Sequence, residues 1–498
     1  MAETPQGLRP AAPARRRLAE LLAVVPDLSG DRDLLDTVVT GCTHDSRAVQ
    51  AGDLYAALPG ARAHGADFAS QAVAAGAAAV LTDPAGLDRC ASYGVPVVLA
   101  PEPRGVLGAV ASWVHGNPSA ALTVLGVTGT NGKTTTAFLL DAGLRAAGHT
   151  TGLLGTVATR IGDDAVPSVR TTPEATDLHA LFAVMRERGV TAVAMEVSSH
   201  ALALGRVDGV HFDTSIFTNL SQDHLDFHAT MARYEAAKAS LFTPAKSRRG
   251  VVNSDDEAGC RLLAEPHIPL VSYGADGAWR ATQVVSRSDG STFRLHGPGV
   301  EVSAGVQLPG SFNVSNALAA LACLVTAGVP VEDAVRGVAG LAGVPGRMER
   351  VDAGQPFTAM VDYAHTPEAV TTLLRAVRAV TTGRVLCVLG CGGDRDRGKR
   401  PLMGLAAVQG ADLAVLTSDN PRSEDPDAIL AEMVARAPGA VVEPDRRAAI
   451  ELGVHRARPG DTLVVAGKGH ETGQEVGGVL TPFDDRQILL HAMQGAWA

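Results

Sequence analysis

Residues 126–137 read GVTGTNGKTTTA, and their types and spacing fit them for chemistry on phosphate. An apolar run at 120–125 precedes them, as a buried strand would, and TTTAFLLDAGLRAAG follows as a helix. In that context backbone N–H groups and the helix N-terminus attract phosphate oxygens. The lysine reaches the outer phosphates, and the threonine hydroxyl can ligate magnesium. The common pattern has a glycine five residues before Gly132, where this chain has Val127. The stretch is therefore a phosphate loop of another spacing. Its candidate nucleotide contacts are Gly129, Thr130, Asn131, Gly132, Lys133, Thr134 and Thr135.

Other polar groups follow strand-like runs. Glu196 ends the apolar segment TAVAMEVSSH, which puts a carboxylate near the loop, where it can share a magnesium ion with Thr134. The stretch DHLDFH (223–228) is dense in potential ligands but has no zinc-site spacing. Lys238, in YEAAKASLF, lies on a helix and taken alone reads as a solvated lysine. No serine or cysteine nucleophile motif accompanies them, so the chemistry points to positioning and electrostatics.

These groups must be carried by something large. At 498 residues the chain is long enough for about three domains. Hydrophobic residues make up 46% and charged residues 19%, which describes ordinary globular cores. Glycine is abundant (54) and aromatics are only 4%, which suits close helix–strand packing. A net charge of -10 argues against general nucleic-acid binding. Six cysteines without a Cys-x-x-Cys pair suit a reduced, cytoplasmic protein. No 18-residue uncharged apolar run exists, so membrane insertion is not expected.

Strand-then-polar-loop units alternate with helical segments throughout, which predicts α/β architecture with parallel sheets. Three domains are expected: 1–118, with 1–14 a flexible tail, then 119–345 around the phosphate loop, and a Rossmann-like 346–498. FASQAVAAGAAAVL reads as one helix, and residues 313–328 as a long helix closing the second domain. Ligands of such sheets sit beyond the carboxyl ends of the strands, where the polar loops fall.

TGTNGKTTT resembles the loop of the Mur ligase and folylpolyglutamate synthetase superfamily, ATP-dependent amide-bond formers. EVSSH, TNLSQDHLDFH and YEAAKASLF recur in that order in the Mur ligases. The resemblance implies that Glu196 and His224 bind Mg²⁺ and that Lys238 is carbamylated by CO₂ into an anionic magnesium ligand. Phe227 departs from the family, which often has tyrosine there. DSRAVQAGDLYAALPGARAHGADF (45–68) resembles the uridine-diphosphate-binding front domain of the branch that adds the third peptide residue, with Ser46 and His64 as contacts. Thr171-Thr172-Pro173, Ser198 and Arg206 match positions that hold the muramyl dipeptide. Asn313, Asn316, Arg347, Asp362 and His365 match nucleotide-binding segments.

GCGGDRDRGKRPLMG, DNPR and AGKGHE resemble that branch's amino-acid domain, which implies Arg395, Asp419, Asn420, Pro421, Arg422, Gly467 and Glu471 as contacts. Diaminopimelate has a distal carboxylate and a distal ammonium. Arg422 can grip the first in a bidentate fork, with Arg395 assisting, and Glu471 can accept the second. The resemblance thus implies an ATP-dependent ligase adding diaminopimelate to UDP-N-acetylmuramoyl-L-alanyl-D-glutamate through an acyl phosphate, in cytoplasmic peptidoglycan precursor synthesis, working as a monomer. The rivals are a lysine-adding relative, a folylpolyglutamate synthetase-like ligase, which would lack the front domain and DNPR, and a nucleotide switch, which would need neither Lys238 nor an amine-recognition loop.

Overall fold

The computed structural model describes residues 8–30, 36–167 and 170–497. Three mainly parallel sheets organise the chain. The first has the order Ser29–Gly30, Val97–Leu99, Ala79–Thr82, Asp53–Ala56, Gly41–Thr43, and its last four strands are parallel.

The second is eight-stranded. An antiparallel edge, Asp164–Val166 and Thr159–Ile161, leads into Thr151–Leu154, Ala192–Glu196, Thr123–Thr128, Thr214–Phe217, Gly250–Asn253 and Leu270–Tyr273, all parallel. Thr123–Thr128 sits where the winding reverses, since the chain leaves it toward one edge and later returns on its other side. That is where an open α/β sheet leaves a crevice for ligand. This strand and Ala192–Glu196 are buried almost throughout, so they read as mainly apolar runs rather than alternating ones. Helices Lys133–Ala146 and Ser311–Thr326 cover one face with Leu139, Leu140, Leu144, Leu321 and Leu324. Truncating one of these leucines to alanine costs about 2–5 kcal/mol.

The third sheet runs Glu349–Arg350, Thr358–Asp362, Thr462–Ala466, Val385–Cys391, Leu413–Ser418, Val441–Val442. All but the first strand are parallel. Among the described residues no helix is long and apolar enough to cross a membrane.

Three expectations need correction, and one element went unforeseen. FASQAVAAGAAAVL is not one helix: Ala69–Ala74 is helical, Gly76 turns the chain at φ +104°, and Ala79–Thr82 is a buried strand. Residues 1–7 of the expected tail lie outside the described residues, but 8–14 are docked. Arg9 pairs with buried Asp53 at 2.8 Å, and the Ala11 and Ala12 N–H groups donate to Glu187. The helix expected at 313–328 is Ser311–Thr326, and it does not close the domain, because Val331–Gly340 follows it and packs on Lys133–Ala146. A three-stranded antiparallel sheet, Arg280–Arg287, Gly290–Gly297 and Val300–Val306, was not expected at all.

Candidate active site

The phosphate loop is held by the neighbouring strand's exit. Thr130 N–H donates to Asn219 O at 2.8 Å, Asn131 N–H to Asn219 Oδ1 at 2.9 Å, and Thr218 Oγ1 to Asn131 O at 2.6 Å. Two glycines are required by this closeness. A Cβ on Gly129 (φ +145°) would lie 1.8 Å from Thr218 Oγ1, and one on Gly132 (φ +86°) 2.4 Å from Asn316 Oδ1.

Two ammonium groups converge on the loop. Lys133 Nζ donates to Gly129 O and Thr130 O, both at 2.9 Å, and Lys238 Nζ donates to the same Gly129 O at 2.7 Å. Lys238 is 1% exposed and lies over the Tyr234 ring. Burial, reinforced by the charge of Lys133, pulls its pKa well below the usual lysine value. Burial also lowers the pKa of Lys133, against the pull of Glu196 and Asp223.

Glu196 stands at the end of its strand, with Oε1 accepting from Thr156 N–H at 2.8 Å and Oε2 from Thr156 Oγ1 at 3.1 Å. His224 takes a left-handed backbone (φ 54°) beside Asp223, and burial holds its pKa below the usual imidazole value. Burial opposes ionisation of Asp223, yet His224, His365 and Lys399 outweigh it and keep that carboxyl acidic. Among the described residues no three His, Cys, Asp or Glu side chains cluster as a metal site by themselves.

From the C-terminal side, Arg347 Nη2 donates to Thr134 Oγ1 at 3.0 Å while its guanidinium lies over Tyr363. Asp362 accepts from Met348 N–H at 2.7 Å and Ala364 N–H at 2.8 Å. Asn316 Nδ2 donates to Asn313 Oδ1 at 3.0 Å. These residues, with Thr130 to Thr135, Glu196, His224, Lys238 and His365, line one cavity of about 370 Å³.

Thr171 and Ser198 also reach that cavity. Thr171 Oγ1 meets Thr156 Oγ1 at 2.9 Å, and Thr172 Oγ1 bridges Glu196 O and Ser198 N–H. Arg206 stands apart, paired with Glu174 at 2.8 Å. Ser46 and His64 lie in the first domain, away from the cavity lining. Ser46 Oγ donates to Gln71, and both ring nitrogens of His64 are engaged, one capping Ala66 N–H and the other against Asp83.

The amino-acid candidates form a separate cluster beyond the third sheet. Arg422, with a left-handed backbone (φ 55°), donates to Gly393 O at 2.5 Å and faces Glu475 at 3.9 Å. Asn420 O accepts from Gly393 N–H, Gln474 Nε2 donates to Asp419 O, and Gly467 N–H donates to Asp362 O. Pro421 O accepts from Glu424 N–H, and exposed Arg395 donates to Asp394 O. Asn420 Nδ2 donates to Glu471 Oε2 at 2.7 Å. Thr156, Tyr234, Asn219, Tyr363 and Lys468 were missed from sequence; Asn219 in TNLSQDHLDFH, Tyr234 in YEAAKASLF, Tyr363 in DYAHTPEA and Lys468 in AGKGHE carried a local signal, and Thr156 did not.

The sequence that builds the phosphate loop, the cavity and the polar cluster matches three family descriptions. These are the Mur ligase family catalytic domain over residues 38–112, the Mur ligase middle domain over 127–324 and the Mur ligase glutamate ligase domain over 346–469. The chain belongs to the Mur ligase family and is an ATP-dependent, amide-forming ligase. It is 56% identical to a UDP-N-acetylmuramoyl-L-alanyl-D-glutamate–2,6-diaminopimelate ligase of Streptomyces avermitilis, over 98% of each chain. A solved structure of a ligase of that name is similar at TM-score 0.69 and 32% identity, covering 97% of this chain and 99% of the other. A UDP-N-acetylmuramyl-tripeptide synthetase of Leifsonia xyli is 45% identical over 98% of each chain.

Proposed function

We propose that the chain joins diaminopimelate to the D-glutamyl γ-carboxylate of UDP-N-acetylmuramoyl-L-alanyl-D-glutamate, at the expense of ATP, in cytoplasmic peptidoglycan precursor synthesis. The observation that carries the reading is the pairing of a phosphate-loop cavity with a distinct cluster bearing an arginine and a carboxylate, Arg422 and Glu471.

A carboxylate does not acylate an amine at neutral pH until it is activated. The γ-phosphoryl group of ATP passes to the D-glutamyl carboxylate, giving an acyl phosphate and ADP. The amine then attacks the acyl carbon, loses a proton, and phosphate leaves. Lys133 is the cation set to follow the phosphoryl oxygens, and Gly129 to Thr135 supply the N–H cradle. Arg347, Asn313 and Asp362 hold the nucleotide from the C-terminal side. Thr171, Thr172, Ser198 and Arg206 position the dipeptide, and Ser46 and His64 the uridine diphosphate.

Thr134, Glu196, His224 and a carbamylated Lys238 would hold magnesium, which supplies neutralisation of phosphate charge. The donor set fits on one condition. An ammonium at Lys238 would repel the ion, but the lowered pKa favours the neutral amine, whose lone pair can attack CO₂, lose a proton and become an oxygen ligand.

The test is phosphate release. It should require ATP, the UDP-muramyl dipeptide and diaminopimelate together. Release with lysine but not diaminopimelate would favour the second reading, left open by the tripeptide synthetase relative, whose name does not specify the added residue.

A further inference from the structure

Lys468 has no exposed surface, yet it carries an ammonium group. All three of its N–H donors are engaged: Asn420 Oδ1 at 3.0 Å, Glu471 Oε2 at 3.3 Å and Gly473 O at 2.7 Å. Asn420 Oδ1 also accepts from Glu475 N–H at 3.0 Å. Two donors therefore face that atom, so only the amide oxygen can occupy the place. The NH₂ end must turn to Glu471, and it donates to Oε2 at 2.7 Å. Glu471 Oε2 thus accepts twice. Its partner Oε1 has no hydrogen bond among the described residues, on a side chain that is 32% exposed.

We infer that Lys468 is a positioning residue for amino-acid selection: it fixes the orientation of the Asn420 amide and ties off Glu471 Oε2, so that Glu471 Oε1 and the second Asn420 N–H are presented to the incoming amino acid. This rests on the reading of the cluster as the diaminopimelate site. Without the ammonium, the Asn420 oxygen keeps only the Glu475 N–H, so the amide is held less firmly, and Glu471 loses its ion pair with Lys468.

The charges around Glu471 make the effect readable by pH. Burial raises the pKa of Glu471, the negative charge of Asp419 adds to that, and Lys468 and Asn420 oppose it. Tyr363 and Arg446 are the other titratable groups that feel its charge. The carboxylate must be ionised to hold an ammonium, so kcat/KM for diaminopimelate falls as pH drops through the Glu471 pKa. Removing Lys468 moves that acid limb upward.

The experiment compares wild type, Lys468→Met, Asn420→Asp and Arg422→Ala, with ATP and dipeptide saturating and folding checked by thermal unfolding. Lys468→Met should raise KM for diaminopimelate about 10- to 100-fold, keep KM for ATP within about twofold, and lift the acid limb by about a pH unit. Asn420→Asp keeps the acceptor that Lys468 needs but sets oxygen against Glu471, so it should also lift the limb. If Arg422→Ala raises KM while folded Lys468→Met leaves KM and the limb unchanged, the Lys468 role is overturned and the site reading stands. If Arg422→Ala also leaves KM unchanged, the site reading falls, and the Lys468 role with it. Should Lys468→Met fail to fold, an unshifted limb in Asn420→Asp overturns the proposal.

Discussion

At the phosphate loop, Lys133 and Lys238 lean on one backbone oxygen, Gly129 O, and among the described residues neither has a carboxylate within hydrogen-bonding distance. In the C-terminal domain Lys468 holds an amide, a carboxylate and a carbonyl of its own. The first pair is electrostatically unfinished. Burial is the larger cost to the Lys238 ammonium, and repulsion from a second ammonium on the same acceptor adds to it, several kcal/mol at ~4 Å and an effective dielectric of about 20. The depressed pKa of Lys238 is the result. Lys468 sits in a closed circuit, where its charge organises neighbours rather than seeking a ligand. A buried lysine without an anion marks chemistry to come; one with its acceptors filled marks architecture.

The largest expected effect tests the unfinished side. Lys133→Ala should lower kcat for phosphate release at least about a thousandfold, with thermal unfolding little changed. A folded variant that keeps substantial activity would erase the contrast. Lys238→Ala should be nearly as inactive, and short carboxylic acids such as acetate should restore part of the rate by supplying the missing anion. Absence of rescue, together with a bicarbonate-grown crystal showing an unmodified Lys238, would break the carbamate reading.

On the finished side the effects are graded. Wild type should prefer diaminopimelate over lysine by about a hundredfold to ten-thousandfold, since lysine leaves Arg422 without a carboxylate. Arg422→Ala should raise KM for diaminopimelate about 10- to 100-fold and narrow that preference, mostly by harming the better substrate. The smallest effect belongs to a ring outside the cavity lining. Phe227 is half-exposed against His200, so Phe227→Tyr should change kcat/KM by less than about twofold. A larger change would mean that this ring takes part in the reaction.

The parallel sheets and their polar loops were legible because buried strands read as unbroken apolar runs and the loops concentrate at their carboxyl ends. Glu196 at its strand end and Lys133 at its helix start followed from local pattern alone. The helix misread at FASQAVAAGAAAVL shows the limit: alanine serves helix and buried strand alike, and only Gly76 marked the change. The antiparallel sheet at 280–306 did carry period-two stretches, TFRLH and EVSAGV, but its polar, largely exposed first strand masked them. The burial of Lys238 was not legible, since it depends on Tyr234 and on a carbonyl 109 residues away. The pairing of Arg347 with Thr134, 213 residues apart, is likewise a product of tertiary folding.

Five of the six cysteines are buried, and Cys260 alone is exposed, on helix Glu257–Ala264 of the central domain. Thiol reagents act on accessible thiolates, so a maleimide dye or spin label should mark this protein at one site without any cysteine being removed. A second cysteine placed on the far face of the C-terminal domain would then make a two-point ruler. The distance between labels, followed as ATP, dipeptide and amino acid are added in turn, would report directly how far the domains travel during a turnover.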